Sequence, residues 1–309
     1  MVIVGGGQAG FSAAYKLRSI GFQGPISILC SEKYLPYQRP PLSKKFLMGE
    51  MLEERLLFKP SRFYEENDLS IRLGAMVTAI DRESKKVKCS DNSILSYEKL
   101  FLVTGSEPIV FPDSLGGNLF GNYYIRSLDD IKKLRREFKP GKRVLIIGGG
   151  YIGLELAAVA RKKELQVTLV EAQERLLKRV ACSQTASYFK NLHEQNEVKI
   201  IQGKSIVKLI EKKGVFAGAV LDSGEELHAD FSVIGIGVKP CIYLARGCGL
   251  EIDNGIRIDK YCQTSDANIL AAGDCASFPY QNERLRLESV GNAIEQAEVA
   301  ALNALGHNQ

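Results

Sequence analysis

Two glycine-rich turns, each placed between an apolar strand and a helix, constrain the fold of this 309-residue chain more than any other feature. In the second of them, Gly148, Gly150 and Gly153 follow an apolar run in G-x-G-x-x-G spacing, and the next apolar run ends in Glu171. A strand, a glycine turn, a helix and a second strand with a terminal acid form the dinucleotide-binding pattern. The sequence therefore predicts a Rossmann-like α/β unit here.

Each part of this pattern has a physical role. The first glycine makes the tight turn, the second lets backbone approach a pyrophosphate at the positive helix end, and the third lets the helix pack closely on the strand. Glu171 can accept hydrogen bonds from both ribose hydroxyls of a dinucleotide, and its charge would repel a 2′-phosphate. We therefore expect this turn to prefer NADH to NADPH.

The same pattern begins the chain. Gly5, Gly7 and Gly10 follow a first apolar strand, and a second strand runs into Ser31 and Glu32. A lone G-x-G-x-x-G is weak evidence, but here the whole strand–turn–helix–strand context occurs twice. Two complete copies indicate two nucleotide sites in one chain.

A β-rich stretch follows each copy of the pattern. Short alternating segments occupy 71–103 and again 198–236, and each stretch returns to an apolar strand that leads into glycine. The second half thus repeats the order of the first, which indicates an internal duplication. We predict an α/β fold of two tandem Rossmann-like domains, each with an antiparallel β excursion: one formed by 1–113 and 243–309, the other by 114–242.

Composition excludes several classes of protein. Hydrophobic residues make up 45% and charged residues 25% of the chain, which is ordinary for a soluble globular protein. The net charge of +5, spread along the sequence, is too diffuse to indicate nucleic acid but suits an acidic protein partner. The apolar run 144–160 is short and is interrupted by glycines and Glu155, so no membrane association is expected. Met1 leads directly into a strand without a signal peptide, which predicts a cytoplasmic protein.

The seven cysteines are scattered and isolated. None forms a C-x-x-C or C-x₄-C pair, and no His/Cys cluster has the spacing of a metal site, so no metal is expected. Isolated thiols in a cytosolic protein are usually small buried hydrophobes. An enzyme that passes electrons to disulfides needs a neighbouring thiol pair, and the sequence provides none.

One charged residue stands out in the second glycine-rich copy. Glu155 lies two residues beyond Gly153 in an apolar helix start, where a bare carboxylate is costly and needs a cation or a solvated cavity. Far earlier in the chain, a loop stiffened by two prolines ends at Ser43, which we expect to cap a helix beginning near Lys44. Ser127 is the expected N-cap of a second helix.

Six motifs carry a resemblance to a known family. They are VIVGGGQAG, LPYQRPPLSK, LVTGSEP, RVLIIGGGYIGLE, AAGDCASFP and RLESVGNAIEQA, and they cover the chain end to end in family order. The chain resembles the FAD-dependent pyridine-nucleotide reductases. Within them it is most similar to the NADH–ferredoxin or rubredoxin reductases that serve oxygenases, with apoptosis-inducing-factor flavoproteins as relatives. RPPLSK is quite specific to this branch, whereas the other motifs are shared across the superfamily.

The resemblance assigns cofactors to the two copies. It implies FAD at the first glycine turn and NADH at the second, with Lys44 and Glu155 paired beside the flavin N5 to orient the nicotinamide. The residues implied for FAD are Gly5, Gly7, Ala9, Gly10, Ser31, Glu32, Arg39, Lys44, Val77, Thr104, Gly105, Arg126, Gly273, Asp274 and Val290. Those implied for NADH are Gly148, Gly150, Ile152, Gly153, Glu171 and Gly237.

Some of these assignments carry a particular role or an alternative. Asp274 is implied to hold a ribityl hydroxyl, and Val290 to begin a helix whose positive end stabilises the reduced flavin. Glu32 could instead be a solvated loop charge and Arg126 a solvated helix-start arginine. Val77 and Thr104-Gly105 could equally belong to the sheet core, and Asp274 could be a helix or turn cap. The less favoured alternative for Lys44 is a surface lysine, since most lysines are exposed.

The implied activity is hydride passage from NADH to FAD, followed by single-electron transfer to a small iron–sulfur protein, a ferredoxin or a rubredoxin. Two alternatives remain: an NADH oxidase or nitrite-reductase-type FAD module, and an apoptosis-inducing-factor-like signalling protein. Members of the family continue into a third, C-terminal domain that contributes to acceptor and dimer surfaces. That domain is not expected within these 309 residues, so a homodimer stays an open prediction.

Overall fold

The computed structural model describes residues 1–307. Its strands are β1 Val2–Val4, β2 Ile26–Cys30, β3 Leu69–Leu73, β4 Val77–Asp81, β5 Lys86–Cys89, β6 Ile94–Ser96, β7 Leu100–Leu102, β8 Ser106–Pro108, β9 Asn122–Tyr123, β10 Arg143–Ile147, β11 Gln166–Glu171, β12 Val198–Gln202, β13 Ile206–Lys212, β14 Val215–Leu221, β15 Glu226–His228, β16 Phe231–Ile234, β17 Val238–Pro240, β18 Ile256–Arg257, β19 Ile269–Ala271, β20 Ala276–Tyr280 and β21 Glu283–Leu285.

Helices are fewer and lie mostly in the two glycine-rich copies and at the end of the chain. The α-helices are α1 Gln8–Ser19, α2 Ser61–Glu66, α3 Leu128–Leu134, α4 Tyr151–Lys162, α5 Ser183–Gln195, α6 Tyr243–Gly247 and α7 Val290–Ala304. Single helical turns occur at Leu42–Phe46, Glu53–Arg55, Asp113–Leu115 and Gly273–Cys275.

The chain divides into two compact units. The first comprises 1–38, 53–107 and 240–309, and the second comprises 39–52 and 108–239. The boundaries at 107 and 240 lie within a few residues of those expected from the sequence. The segment 39–52 differs: the sequence division assigned it to the first domain, whereas it packs in the second unit. We call this segment the arm.

The first unit is built on a parallel sheet with strand order β19-β7-β1-β2-β3. Its central strands are apolar and almost completely buried, as is typical of the central strands of a parallel sheet covered on both faces. β7 is fully buried along its length. Beside this sheet, the antiparallel strands β4, β5 and β6 form the predicted excursion.

The second unit repeats the plan. Its parallel sheet has the order β12-β11-β10-β16-β9, and β13, β14 and β15 form a second antiparallel excursion. The predicted fold of two tandem Rossmann-like domains is therefore confirmed. It follows from local signals alone, because each βαβ unit is specified by apolar strands and a glycine turn adjacent in sequence.

Helix α7 returns the chain to the first unit and packs on α1. Both helices carry small buried side chains, among them Ala13, Ala14, Ala297 and Ala301, all with no exposed surface. Small residues let helix axes approach closely, which suits the packing of α7 on the helix of the first glycine turn. The C-terminal segment therefore belongs to the first unit despite its distance in sequence.

Two expected helix caps have different outcomes. Ser127 caps α3 as predicted: its side chain accepts from the Asp130 amide, and the Asp130 side chain accepts from the Ser127 amide in turn. Ser43 does not cap a helix. It lies inside the turn Leu42–Phe46, which follows Pro41 and has no side-chain cap within the described chain.

The sequence analysis treated the net charge as spread along the chain, but the two units differ in charge. The second unit contains 24 lysines and arginines against 16 aspartates and glutamates, whereas the first contains 17 against 20. The positive charge of the protein thus belongs to the second unit. Among residues 1–307, no helix has both the length and the apolar character needed to cross a bilayer.

Candidate functional site

The first glycine turn leaves room for a ligand at one position only. A Cβ placed on Gly5 would lie well inside 3.0 Å of the Val103 carbonyl, and one on Gly10 would meet the Gly5 carbonyl as closely. A Cβ on Gly7 would have no heavy atom of the described residues within 4 Å. The outer glycines are thus required by the protein's own backbone, and the middle one opens onto free space.

The second turn has the same geometry. A Cβ on Gly148 would collide with the Gly235 carbonyl, and one on Gly153 with the Gly148 carbonyl. At Gly150, again, no heavy atom in 1–307 would lie within 4 Å. The duplication inferred from the sequence therefore extends to the shape of both turns.

The helices that begin at these turns have uncapped N-termini. Within residues 1–307, neither α1 nor α4 has a side-chain cap or an acidic residue in its first turn. Ser127 caps α3 and Ser289 caps α7, whereas α5, which does not follow a glycine turn, is also uncapped. Free first-turn amides and an open middle glycine are what a pyrophosphate requires. Both turns fit a dinucleotide.

The acids that end the second strands are held in place. Glu171 Oε2 accepts from the Gly149 amide at 2.6 Å and Oε1 from the Gln173 amide at 2.7 Å. In the first unit, Glu32 Oε2 accepts from the hydroxyl of Tyr37 at 2.6 Å. A carboxylate offers about four acceptor positions, so an acid held by the protein in this way is not thereby prevented from accepting a ligand hydroxyl. The alternative of Glu32 as a freely solvated charge does not match this hydrogen bond.

The first unit gathers other predicted residues near its glycine turn. Gly273 has a φ of +78°, and its amide donates to the Gln296 side chain at 2.9 Å. A Cβ on Gly273 would lie 3.3 Å from that of Ala9, so the GD motif lies against the start of α1. The adjoining Asp274 carboxylate accepts from the Ser106 hydroxyl at 2.7 Å. These contacts place Asp274 on the same side of the sheet as the first turn.

The remaining first-unit predictions are less distinctive. The Val77 side chain is buried in the core, as its alternative reading allowed, and its carbonyl accepts from the Tyr243 hydroxyl at 2.5 Å. The Thr104 hydroxyl donates to the Cys241 carbonyl at 2.7 Å, and the Gly105 carbonyl accepts from the Cys241 amide. Ser31 is exposed, and Val290, the first residue of α7, is 43% exposed.

The arm brings the predicted ion pair together. Lys44 Nζ lies 2.7 Å from Glu155 Oε1, and the Ser43 hydroxyl donates to Oε2 at 2.5 Å. Adjacent residues of a regular helix point in different directions. Here the backbone leaves helical geometry at Lys44, with φ −119° and ψ −115°, and both side chains reach one carboxylate. The Lys44–Glu155 pair predicted from the sequence is present.

Three other arm contacts were not foreseen. The Arg39 guanidinium donates to the Arg126 carbonyl at 2.6 Å. Arg135 of the α3 end donates to the Phe46 carbonyl and stacks over the Phe46 ring at 4.4 Å. Arg39, Lys44 and Arg126 therefore all belong to the second unit, whereas the sequence division had separated them.

The sequence analysis missed Arg179, which lies near the predicted Gly237. Gly237 has a φ of +123°, and a Cβ there would lie 3.6 Å from the Arg179 guanidinium. Arg179 is exposed and lies on the loop after Glu171. Only its position eight residues beyond the acid could have indicated it. Ile152, at the start of α4, is 38% exposed beside the open Gly150.

The thiols are not arranged for redox catalysis. All seven cysteines are free, and four of them are buried. Burial raises the pKa of Cys30 and that of Cys262 to about 12, which keeps both thiols protonated and inert. Among residues 1–307, no group of His, Cys, Asp and Glu could hold a metal ion.

Cys182 is the thiol that we expect to react. It is exposed, and its hydrogen bond with Thr185 lowers its pKa. In a titration of the native protein with a chromogenic disulfide, one thiol should therefore react in the fast phase. Cys182→Ser should abolish that phase without changing NADH-dependent activity. A fast phase that persists in the variant would show that another thiol is reactive. A loss of activity would show that Cys182 is needed for the reaction.

Comparison with known proteins agrees with the geometry. A sequence profile described as pyridine nucleotide-disulphide oxidoreductase matches residues 1–297. The chain belongs to this family. The resemblance stated from its motifs is thereby confirmed, although no disulfide occurs among the described residues of this member.

Individual relatives are similar over nearly the whole chain. Rhodocoxin reductase of Rhodococcus erythropolis is 40% identical over 308 residues, covering 99% of this chain and 72% of the relative. Rubredoxin-NAD(+) reductase of Pseudomonas putida is 38% identical, covering 99% and 80%. The crystal structure of the covalent putidaredoxin reductase–putidaredoxin complex matches with a TM-score of 0.94 and 37% identity, covering 97% of this chain and 74% of that one.

Proposed function

We propose that this chain is a cytoplasmic flavoprotein oxidoreductase that passes hydride from NADH to FAD and then single electrons to a ferredoxin or rubredoxin. The first unit holds FAD and the second holds NADH. The observation that carries the proposal is the ion pair between Lys44 of the arm and Glu155. Glu155 lies on α4, the helix that begins at the open Gly150 turn. A dinucleotide turn alone serves many reactions, whereas a fixed cation beside it indicates a reacting ring that needs orientation.

The chain's own residues divide the work. Gly7 and Gly150 leave room for the two pyrophosphates, and Glu32 and Glu171 accept the ribose hydroxyls. Asp274, whose carboxylate accepts from the Ser106 hydroxyl, receives a hydroxyl of the flavin side chain. Lys44, held by Glu155, orients the nicotinamide rather than transferring a proton. FAD, when bound, supplies the conversion of a two-electron donor into one-electron steps.

The state of the cysteines favours a one-electron carrier as the acceptor. Reduction of a disulfide substrate through the protein would need two neighbouring thiols, and none of the seven cysteines, which all lie within residues 1–307, forms a disulfide. Free thiols also suit the reducing cytoplasm. The relatives named for rhodocoxin, rubredoxin and putidaredoxin support a small electron carrier as partner.

The decisive experiment has two stages. The purified chain is first supplied with FAD and titrated anaerobically with NADH or NADPH; a yellow protein that bleaches with NADH is expected. Cytochrome c reduction is then measured with and without an added [2Fe–2S] ferredoxin or rubredoxin. Fast reduction only when the carrier is present supports the proposal. Rapid oxygen consumption without a carrier indicates an oxidase, and a long-lived, air-stable NADH complex indicates a signalling protein; either result contradicts it.

Glu171 should set the preference for NADH. Glu171→Gln removes the charge that repels a 2′-phosphate and replaces one acceptor by a donor. We expect the ratio of kcat/KM for NADH over NADPH to fall roughly tenfold. Initial rates with ferricyanide as acceptor measure it. The matched control is Glu174→Gln. Glu174 is an exposed acid three residues later, and its carboxylate lies 3.3 Å from the Lys178 ammonium. The ratio of kcat/KM values for this variant should equal that of the wild type. An unchanged ratio in Glu171→Gln would remove Glu171 from nucleotide selection.

A further inference from the structure

A tyrosine outside the predicted site holds the acid of the first nucleotide turn. The hydroxyl of Tyr37 lies 2.6 Å from Glu32 Oε2, within the range of short O–H···O⁻ bonds. Tyr37 is only 4% exposed, and Glu32 is partly exposed. The hydrogen bond therefore connects an acid that a ligand can reach to a side chain that solvent hardly reaches.

The backbone fixes the position of Tyr37. Residues 36–38 pair with 56–58: the Gln38 amide donates to the Leu56 carbonyl at 2.8 Å, and the Phe58 amide donates to the Pro36 carbonyl at 3.0 Å. The ring of Tyr34 also lies edge-on to that of Tyr37, with centroids 6.4 Å apart. The phenol is thus presented by ordered backbone rather than by a mobile loop.

The two units achieve the same result by different means. In the second unit, Glu171 is oriented by two backbone amides of its own βαβ unit. In the first unit, the corresponding Glu32 receives a side-chain hydroxyl from a segment beyond its βαβ unit. A backbone donor cannot be removed by substitution, but a phenol can. The first unit therefore contains a separable element that the second lacks at this position.

We propose that Tyr37 is a positioning residue for the adenosine ribose of FAD. By donating to Oε2 of Glu32, it fixes the rotamer of the carboxylate that receives the ribose hydroxyls. The cost of ordering the acid is met before the ligand arrives, which strengthens binding. This inference rests on the proposed function, because it takes the first unit as the FAD unit.

The test measures binding to the apoprotein rather than activity. FAD, and an FAD analogue whose adenosine lacks the 2′-hydroxyl, are titrated into the wild type and Tyr37→Phe, with flavin fluorescence as the readout. The dissociation constant for FAD should rise roughly tenfold in Tyr37→Phe, the usual effect of losing a hydrogen bond to a charged group. The wild type should discriminate against the analogue, and Tyr37→Phe should lose most of that discrimination.

The control is Tyr34→Phe, which removes a hydroxyl from the same segment and should bind both ligands as the wild type does. Thermal unfolding of each apoprotein separates a folding defect from a positioning defect. If Tyr37→Phe weakens FAD and the analogue by the same factor, or weakens neither, the inference is overturned while the proposed function stands. A wild-type chain that takes up no FAD at all would overturn both.

Discussion

Replacing Gly150 by alanine should weaken NADH binding roughly 100-fold, or about 2.7 kcal/mol, while leaving the protein as stable as the wild type. The methyl group meets no heavy atom of residues 1–307 within 4 Å, and the φ of −83° at Gly150 is ordinary for alanine. It would, however, occupy the space in which a pyrophosphate meets the first-turn amides of α4. Isothermal titration with NADH and a thermal unfolding curve measure the two quantities.

Gly153→Ala provides the matched contrast in the same turn. Its methyl group would collide with the Gly148 carbonyl, so helix and strand must separate. Overpacking of this kind costs about 1–3 kcal/mol, and the unfolding temperature should fall by roughly 5 °C. Gly7→Ala repeats the Gly150 change in the first unit and should lose FAD instead of NADH. A Gly150→Ala protein that binds NADH normally would show that the open space at this glycine is not the pyrophosphate site.

Lys44→Ala should slow the reduction of bound flavin by NADH about 100-fold, with a much smaller effect on NADH affinity. The ammonium is 2.7 Å from Glu155, and its side chain keeps 48% of its surface exposed, so the pair is fixed but remains accessible to a ligand. Losing the group that aligns a reacting ring can cost two orders of magnitude in rate without loss of binding. Anaerobic stopped-flow absorbance at increasing NADH concentrations separates the limiting rate from the dissociation constant.

Two variants define what that result means. Lys45→Ala removes the neighbouring, exposed lysine of the arm and should reduce flavin at the wild-type rate. Glu155→Gln keeps the shape of the side chain but not its charge, and should slow reduction in the same direction as Lys44→Ala. If Lys44→Ala and the wild type reduce flavin at equal rates, Lys44 is an ordinary surface lysine without a role in the reaction.

Much of this protein was decided by short stretches of sequence. A βαβ unit is encoded locally: apolar strands, three glycines and a terminal acid lie within about 30 residues, and each has one steric or electrostatic task. Hence the tandem fold, the required outer glycines and the Ser127 cap all agree with expectation. The Lys44–Glu155 pair was predicted through the family resemblance; the residues themselves indicated only that Glu155, in an apolar helix start, needs a cation or a solvated cavity.

The tertiary structure alone decided which distant residues share a unit. Placing the arm in the second unit depends on contacts such as Arg135 with Phe46, between residues 89 positions apart whose local sequence gives no sign of one another. The same holds for the concentration of positive charge in that unit and for the hydroxyl of Tyr37 on Glu32. Periodicity and spacing in the sequence indicate which face of its own helix or strand a residue occupies. Which other element meets that face is set by packing of the whole chain.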